Sequence, residues 1–369
     1  MVCTDTNMAE CLRFLAHGGA DPQAAPGVFL CKQCEEALAC ERLAPIAFYL
    51  FKGFAPTDLM ARAYKVALGA QMVYQQFFLE ITQACAARGV PVLPLKGLYL
   101  AEKIYPAPGA RPMSDLDLLV PQEQFHDAAQ ILRALGFSCD LDFMRGSELP
   151  SGVTFQHAGR HVNVDLHFSL LNGQGIRGLL LQPGQVRILD TRAFETSVRE
   201  PYLDQTISAL SRPYFLLSLL LHHYTHNFTG LMWFLDAIYT SRAMEQAGWE
   251  EFERIIKDNG LETAAGLWLR LAAVNFHCPE STFLPESMQT LCRAAERAHP
   301  LFADAVRRGR LTPRSALALV PTRARRARAV ARALFPSRAY LQGVSHKPIR
   351  GPYYYLKELF LFQKRLLLR

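Results

Sequence analysis

Apolar residues recur at helical spacing through most of the N-terminal part of the chain. The clearest stretch is residues 64–87, which keeps this spacing over several turns, contains no proline and ends at Arg88 and Gly89. A glycine directly after a basic residue is typical of a helix C-terminus. The pattern therefore predicts a helical region over residues 1–88.

The pattern changes after Gly89, where short apolar runs bounded by glycine or proline replace the long helical ones. These runs predict buried strands at residues 90–95, 116–120 and 137–143. Helical patterns lie between them, at residues 98–105 and 122–135. Residues 152–168 alternate apolar and polar positions and predict a hairpin that turns at residues 157–160. The order β-α-β-α-β-β predicts a small mixed sheet with helices on one face.

Helical spacing returns after Pro213 and predicts five further helices. They cover residues 214–225, 231–247, 249–259, 263–275 and 288–298. The fold class that follows is α+β, with a small mixed β-sheet core between helical N- and C-terminal flanks. We expect four segments: residues 1–88 (helical), 89–205 (sheet core), 206–305 (helical) and 306–369 (basic).

Composition places the chain among folded globular proteins, because 50% of its 369 residues are hydrophobic and 20% are charged. Disordered chains are much poorer in apolar residues. No apolar run approaches the ~18 residues that a membrane-spanning helix needs. The first residues lack a basic leader followed by an apolar stretch. We therefore expect a cytoplasmic protein without a transmembrane segment.

The nine cysteines are an odd number and follow no regular spacing, which favours reduced thiols. Cys31 and Cys34 form the one CxxC pair. Cys40 offers a third thiolate, but a structural zinc site needs four ligands and no fourth lies nearby. The alternative to a metal or redox role is ordinary helix surface and core.

Positive charge is concentrated at the end of the chain. Residues 306–369 contain 16 lysines and arginines against one acidic residue, Glu358. On a predicted helix, Arg325, Arg328 and Arg332 share one face, with Arg326 beside them. Three interpretations stay open: a solvated basic face, a surface that binds RNA or another polyanion, and a contact with a membrane or protein partner. No motif of a known RNA-binding module is present.

Two carboxylates, Asp115 and Asp117, lie two residues apart at the start of the second predicted strand. Because side chains alternate along a strand, both point to the same face. Like charges so close together repel each other unless a cation lies between them. Hard oxygen ligands of this kind suit Mg²⁺, which completes its shell with water and substrate phosphates. The alternative is a pair of solvated acids at a strand edge.

A third carboxylate, Asp165, lies on a predicted neighbouring strand in a similar apolar setting. If the strands are in register, its side chain faces the same way as the pair. Three aspartates on adjacent strands are the minimum for a site with two metal ions.

A candidate phosphate site precedes the aspartates. Lys96 and Gly97 end the first predicted strand and open a helix, where a glycine allows backbone N–H groups to approach a phosphate. Lys96 and Arg111 flank this point as candidate triphosphate ligands. The alternative for each is an ordinary surface cation.

These motifs occur in order: Lys96-Gly97, then YPAPGARPMSDLDLLV over residues 105–120, then VDLH over residues 164–167. In this order they resemble a little-characterised nucleotidyltransferase family of the DNA polymerase β superfamily. The later motifs around His222, His226 and 233–236 resemble its second, helical block. The resemblance extends over about residues 90–239.

The resemblance implies NTP-dependent transfer of a nucleoside monophosphate to an acceptor. Asp115 and Asp117 would hold two Mg²⁺ ions, for which Mn²⁺ can substitute, and Asp165 would complete the metal site and assist deprotonation of the acceptor. Ser114 would join Lys96, Gly97 and Arg111 in nucleotide binding. One departure is that the superfamily usually has Gly-Ser or Gly-Gly in the first motif, closer to the carboxylates than Lys96-Gly97 is here.

His222 and His226 lie four residues apart, on one face of a predicted helix. This spacing can ligate zinc, but residue 223 is a histidine and not the glutamate of a zinc hydrolase. We expect the pair to line the nucleotide or acceptor cleft, and simple helix packing is the alternative. Asp236 would orient one imidazole or serve helix packing.

The leading hypothesis is a Mg²⁺-dependent nucleotidyltransferase whose acceptor is a hydroxyl or similar group of a small molecule or peptide. The basic segment motivates a second hypothesis, transfer to RNA such as a tRNA end. A third is a non-catalytic binding scaffold with the same fold. The presence of all three aspartates argues against the third.

Overall fold

The computed structural model describes residues 5–18, 32–51, 57–139, 152–171, 180–320, 322–334 and 356–357. Cys31 lies outside the described residues, as does the predicted strand beyond residue 139. The basic segment is described only up to residue 334 and at residues 356–357.

The N-terminal part is helical, as its apolar spacing predicts. Its helices are α1 (Asp5–Ala16), α2 (Lys32–Cys40), α3 (Ala44–Leu50) and α4 (Asp58–Ala86). Helix α4 covers nearly all of the predicted helix at residues 64–87. It begins after Thr57, whose side-chain oxygen accepts a hydrogen bond from the backbone N–H of Met60.

The central sheet has five strands in the order β1-β2-β5-β4-β3. They are β1 (Leu93–Pro94), β2 (Leu116–Leu119), β3 (Phe137–Ser138), β4 (Gly152–His157) and β5 (Asn163–His167), with α5 (Gly97–Lys103) and α6 (Phe125–Ala134) between them. The sheet is mixed, because β2 and β5 are parallel and the other pairs are antiparallel. Three strands follow α6, at the positions of the strand predicted at residues 137–143 and of the hairpin predicted over residues 152–168, although the predicted order β-α-β-α-β-β counts one fewer.

Helices pack on both sides of β2, which corrects the predicted one-sided arrangement. Leu118 belongs to a core that includes Phe78 of α4 and Leu132 of α6. Leu119, one position further, points to the opposite side and belongs to the larger core of the N- and C-terminal helices. Asp117 shares the face of Leu119, so the predicted acidic site faces the C-terminal helices.

The remaining elements are mostly helical. They are α7 (Pro183–Glu195), β6 (Val198–Tyr202), β7 (Gln205–Ala209), α8 (Arg212–Thr225), α9 (Leu231–Arg242), α10 (Gln246–Asp258), α11 (Glu262–Asn275), α12 (Glu286–Arg297), α13 (Pro300–Arg308), α14 (Pro313–Ala318) and α15 (Arg323–Leu334). The prediction of one helix over residues 231–247 is wrong: α9 ends at Arg242 and α10 begins at Gln246. No proline or glycine marks this break in the sequence. No helix among the described residues is both long and apolar enough to cross a membrane.

Candidate functional site

Asp117 of β2 and Asp165 of β5 lie side by side, because these residues are register partners in the parallel strand pair. His167, two residues after Asp165, points to the same face. One ligand atom from each of the three lies within 4.8 Å of the others. Among the described residues, this is the group of acidic, histidine and cysteine side chains with the spacing of a metal site.

Asp117 is the most deeply buried carboxylate of this group, with 4% of its side chain exposed. Its Oδ1 atom lies 2.7 Å from Lys96 Nζ and 3.0 Å from His167 Nε2. Burial by itself raises the pKa of Asp117, but the Lys96 ammonium and the hydrogen bond with His167 lower it overall, well below its usual range. The carboxylate therefore carries its charge inside the protein.

Asp115 lies just before β2 and is half-buried. Burial and the neighbouring charge of Asp117 raise its pKa, and Lys96 partly offsets this. Asp115 is outside the group of ligand atoms within 4.8 Å, so the structure brings together Asp117 and Asp165 but not all three aspartates. Its role in binding a second metal ion stays a prediction.

Tyr74 of α4 fixes the chain where β2 begins. Its hydroxyl donates a hydrogen bond of 2.6 Å to the backbone carbonyl of Ser114, while the Ser114 side chain is exposed. Burial first, and then the charges of Asp115 and Asp165, raise the pKa of Tyr74, so the phenol stays protonated and continues to donate. Helix α4 thus positions the segment that carries the carboxylates.

Asp165 is oriented by its neighbour on β4. Thr154 is its register partner, and the Thr154 hydroxyl donates a hydrogen bond of 2.6 Å to Asp165 Oδ1. The carboxylate is only half-buried, so it is accessible to a substrate group.

Lys96 connects the sheet to helix α8. Its Nζ atom contacts Asp117 and also lies 3.3 Å from His222 Nδ1. The Lys96 backbone has φ 43° and ψ −122°, in the region that favours glycine. Gly97 follows as the first residue of α5 and is buried, as the sequence predicts for the start of a helix.

His222, His226 and Trp233 form a ring cluster beside Lys96. The ring centroid of His222 is 4.7 Å from that of His226 and 5.0 Å from that of Trp233, and the His226 and Trp233 centroids are 4.6 Å apart. Burial and the positive charge of Lys96 keep the pKa of His222 well below its usual range. His226 is exposed and Trp233 is half-buried. The cluster therefore lines the helical side of the acidic site.

His223, between the two predicted histidines, has a structural role instead. The Trp268 indole N–H donates to His223 Nδ1 at 2.8 Å, and His223 Nε2 lies 3.0 Å from the Thr229 carbonyl. Burial lowers the pKa of His223 to about 3, so the ring is neutral and donates through Nε2.

Arg111 lies in a buried ion pair with Asp236, and its positive charge also acts on Asp115 and Asp117. Its guanidinium donates to both carboxylate oxygens of Asp236, at 2.9 and 2.7 Å, and the Tyr105 hydroxyl donates to the same carboxylate at 2.7 Å. Although burial favours the neutral form, Asp236 raises the pKa of Arg111. Asp236 therefore holds an arginine, whereas its two predicted roles were to orient an imidazole or to serve helix packing. Contact of Arg111 with a triphosphate stays a prediction, and this ion pair does not support it.

The described part of the basic segment gives Arg326 a local role. Its guanidinium donates to the backbone carbonyls of Val320, at 2.9 Å, and Ala318, at 3.0 Å, at the end of α14. The side chains of Arg325, Arg328 and Arg332 lie outside the described part of the chain.

Sequence reasoning missed three residues of the site, namely His167, Thr154 and Tyr74. His167 stands in the VDLH motif, and its period-two spacing from Asp165 is the signal that could have identified it. Thr154 and Tyr74 carry no such local signal, because their partners lie 11 and 40 residues away in sequence.

A family model described as an uncharacterised nucleotidyltransferase matches residues 37–277. The chain is also similar to the solution structure of the antibiotic-resistance factor ANT(2'')-Ia, with 12% sequence identity and a TM-score of 0.36, over 56% of this chain and 97% of that chain. No curated protein matches this chain. The family match contains every residue of the acidic cluster and the ring cluster.

Proposed function

The chain belongs to this family of uncharacterised nucleotidyltransferases, and from that membership we propose a specific reaction. The protein transfers a nucleoside monophosphate from an NTP to a hydroxyl or similar group of a small molecule or peptide and releases pyrophosphate. Asp117 and Asp165 hold a divalent cation, Mg²⁺ or Mn²⁺, for this reaction.

The observation that carries the proposal is the pairing of Asp117 with Asp165 in register on parallel strands. Mg²⁺ binds oxygen ligands at ~2.0–2.1 Å, so two ligands of one ion lie up to ~4.2 Å apart. The ligand atoms of Asp117, Asp165 and His167, all within 4.8 Å of one another, fit this requirement with a small adjustment. When bound, such a cation neutralises the charge of the triphosphate and of the transition state.

The chain's own residues supply the remaining functions. Asp165, half-buried and oriented by Thr154, accepts the proton of the attacking hydroxyl. His167 keeps Asp117 in place through their hydrogen bond. Asp115 adds negative charge beside the pair, where a second cation would bind.

The nucleoside is proposed to lie against His222 and His226, on the helical side of the cluster. Trp233 touches both rings and is half-buried, whereas Trp249 and Trp268 are at most 4% exposed. Trp233 is therefore a built-in fluorescent reporter. NTP binding should quench its emission, and the Trp233→Phe variant should lose this response.

The proposed reaction is tested with NTPs labelled at the α-phosphate in a cell extract. We expect label in a low-molecular-weight or peptide fraction. Asp117→Asn and Asp165→Asn should each reduce the transfer by about 10²–10³-fold or more, because each removes a charge that the transition state needs.

The matched control is Asp127→Asn, which removes a carboxylate from the exposed side of α6. Near-normal transfer by Asp117→Asn would refute the metal assignment. Label that enters RNA alone would replace the small-molecule or peptide acceptor with the second hypothesis, transfer to RNA.

A further inference from the structure

A lysine ammonium group binds the carboxylate that the proposed cation would use. Lys96 Nζ lies 2.7 Å from Asp117 Oδ1, and the two side chains are 15% and 4% exposed. Because water is largely excluded here, the positive charge of Lys96 acts strongly on Asp117. A divalent cation and Lys96 therefore compete for the same carboxylate.

The backbone of Lys96 indicates that its side chain is needed at this point. With φ 43° and ψ −122°, the residue has a conformation that glycine adopts with less strain than any residue with a Cβ atom. Residue 96 is nevertheless a lysine, and its ammonium contacts Asp117, the most buried carboxylate of the site.

His222 holds the ammonium from the other side. An ammonium group has three N–H donors and no acceptor, so His222 Nδ1, 3.3 Å from Lys96 Nζ, accepts the hydrogen bond. The His222 proton is then on Nε2. Helix α8 thus gives Lys96 a second hydrogen-bond partner, His222. Because this imidazole is not an anion, the Lys96 ammonium can leave it without breaking an ion pair.

We propose that Lys96 is an exchangeable internal counterion. It neutralises Asp117 while no divalent cation is bound, and it turns to the triphosphate when a cation takes its place. The inference rests on the proposed function and adds an order of events to it. Because the displaced ammonium needs a new anionic partner, the cation and the NTP strengthen each other's binding.

The first test measures Mn²⁺ binding without nucleotide, by electron paramagnetic resonance, for wild type and Lys96→Met. Methionine keeps a long side chain and has the same backbone strain, so the variant removes mainly the charge. We expect Lys96→Met to bind Mn²⁺ about tenfold more tightly or better, since the competing charge is gone. Lys65→Met, which removes an exposed charge of α4, should bind Mn²⁺ as wild type does.

Unchanged or weaker Mn²⁺ binding by Lys96→Met would overturn the inference. If Asp117→Asn abolishes Mn²⁺ binding in the same series, the metal site of the proposed function stands while the counterion role falls. If Asp117→Asn leaves Mn²⁺ binding unchanged in both the wild-type and the Lys96→Met background, or if neither protein binds Mn²⁺, the proposed metal site and the counterion role fail together.

A second test uses the wild-type protein, so it does not depend on the folding of a variant. Lysines are acylated briefly, and the modification of Lys96 relative to Lys65 is measured by peptide mass spectrometry. Mn²⁺ should raise the acylation rate of Lys96 several-fold, because it releases the ammonium from Asp117. A non-hydrolysable NTP analogue added with Mn²⁺ should lower the rate again. A rate that saturating Mn²⁺ leaves unchanged would contradict the proposal.

Discussion

At the scale of single residues, the ion pair between Arg111 and Asp236 connects two distant parts of the chain. Arg111 lies between α5 and β2, and Asp236 lies on α9, 125 residues later. Arg111 is 5% exposed and Asp236 is fully buried. A buried charge needs a partner, and here the guanidinium and the Tyr105 hydroxyl together satisfy the carboxylate. The pair therefore constrains how α9 lies against the loop that precedes the aspartates.

Asp236→Asn should reduce the free energy of unfolding by about 3–5 kcal/mol, because it leaves the Arg111 charge buried without its counter-charge. Urea unfolding measures this effect. The control is Tyr105→Phe, which removes one hydrogen bond to the same carboxylate and should cost about 1–2 kcal/mol. Equal effects of the two variants would contradict a dominant role for the charge.

Asp190 of α7 makes stability depend on pH. Its Oδ1 accepts a hydrogen bond from the Leu170 backbone N–H at 2.8 Å, but burial still raises its pKa to about 6. An unfolded carboxyl titrates near pH ~3.9, so between these values the folded chain keeps a proton that the unfolded chain releases. This carboxyl therefore lowers the free energy of unfolding as pH rises from about 4 to 6.

Asp190→Asn removes this titration while keeping an oxygen that can accept the Leu170 hydrogen bond. The stability of the variant relative to wild type should therefore increase as pH rises through this interval, and then level off above it. Urea unfolding at a series of pH values measures the difference. Asp127→Asn, on the exposed side of α6, is the control. A constant difference between Asp190→Asn and wild type would be inconsistent with a raised pKa.

At the scale of elements, close packing between β4 and β5 positions His167. Gly152 is the register partner of His167, and a Cβ atom at residue 152 would lie 2.6 Å from His167 Nδ1 and 3.0 Å from the Leu166 carbonyl oxygen. Only glycine leaves His167 enough space to reach Asp117.

Gly152→Ala should displace His167 and reduce the free energy of unfolding by about 1–3 kcal/mol. It should also weaken Mn²⁺ binding, because His167 moves away from Asp117. Gly69→Ala is the control: apart from the backbone of α4 itself, no atom lies within 4 Å of its added Cβ, and alanine should stabilise α4 by up to ~1 kcal/mol. Wild-type stability and Mn²⁺ affinity in Gly152→Ala would show that the strand pair adapts without cost.

The elements themselves were largely predictable, because their apolar periodicity is local. The strand at Leu116–Leu119 and the turn of the β4–β5 hairpin follow the sequence pattern. The hairpin of β6 and β7 was missed, because its turn at Leu203 and Asp204 lacks glycine, asparagine or proline. Leu203 adopts φ 52° there, which the sequence pattern does not indicate.

The candidate site was predictable only in part, for the same physical reason. Asp117 and Asp165 could be predicted because the alternating pattern of a strand is visible within a few consecutive residues. The contacts around them could not be predicted in this way: His167 bonds a residue 50 positions earlier, and Lys96 contacts His222 over 126 positions. Such contacts depend on which strands become neighbours and on how α8 packs. The spacing of residues within a short stretch of sequence determines neither of these.

At the scale of the whole molecule, one apolar core joins segments that we predicted separately. Phe14 of α1, Leu93 of β1, Phe215 of α8 and Trp268 of α11 all belong to it. The division at residues 88, 205 and 305 stays a proposal about segments of the sequence. In the described part of the chain, the helical flanks complete the core on the face of the sheet that carries Asp117.

The salt dependence of RNA binding distinguishes the two acceptor hypotheses, a small molecule or peptide and RNA. If the basic segment bound RNA, log affinity would fall with log salt by about 0.7 for each phosphate neutralised on a single strand. We expect weak tRNA binding without a steep slope, because the proposed acceptor is a small molecule or peptide. Filter binding at several salt concentrations measures this.

The control replaces Arg325 and Arg328 together, which leaves the Arg326 contacts in place. If the acceptor is a small molecule or peptide, the double variant transfers nucleotide as well as wild type does. Tight tRNA binding whose salt slope falls in this variant would favour RNA as the acceptor.

The contact between Lys96 and His222 has a consequence for the newborn polypeptide. Translation adds about 5–20 residues per second, so the 126 positions between these residues take about 6–25 s to synthesise. During that interval Asp117 and Asp165 can meet on the growing sheet, while the helix that supplies His222 has not left the ribosome. The acidic pair can therefore form before its helical wall, and the candidate site is complete only after α8 has emerged from the ribosome.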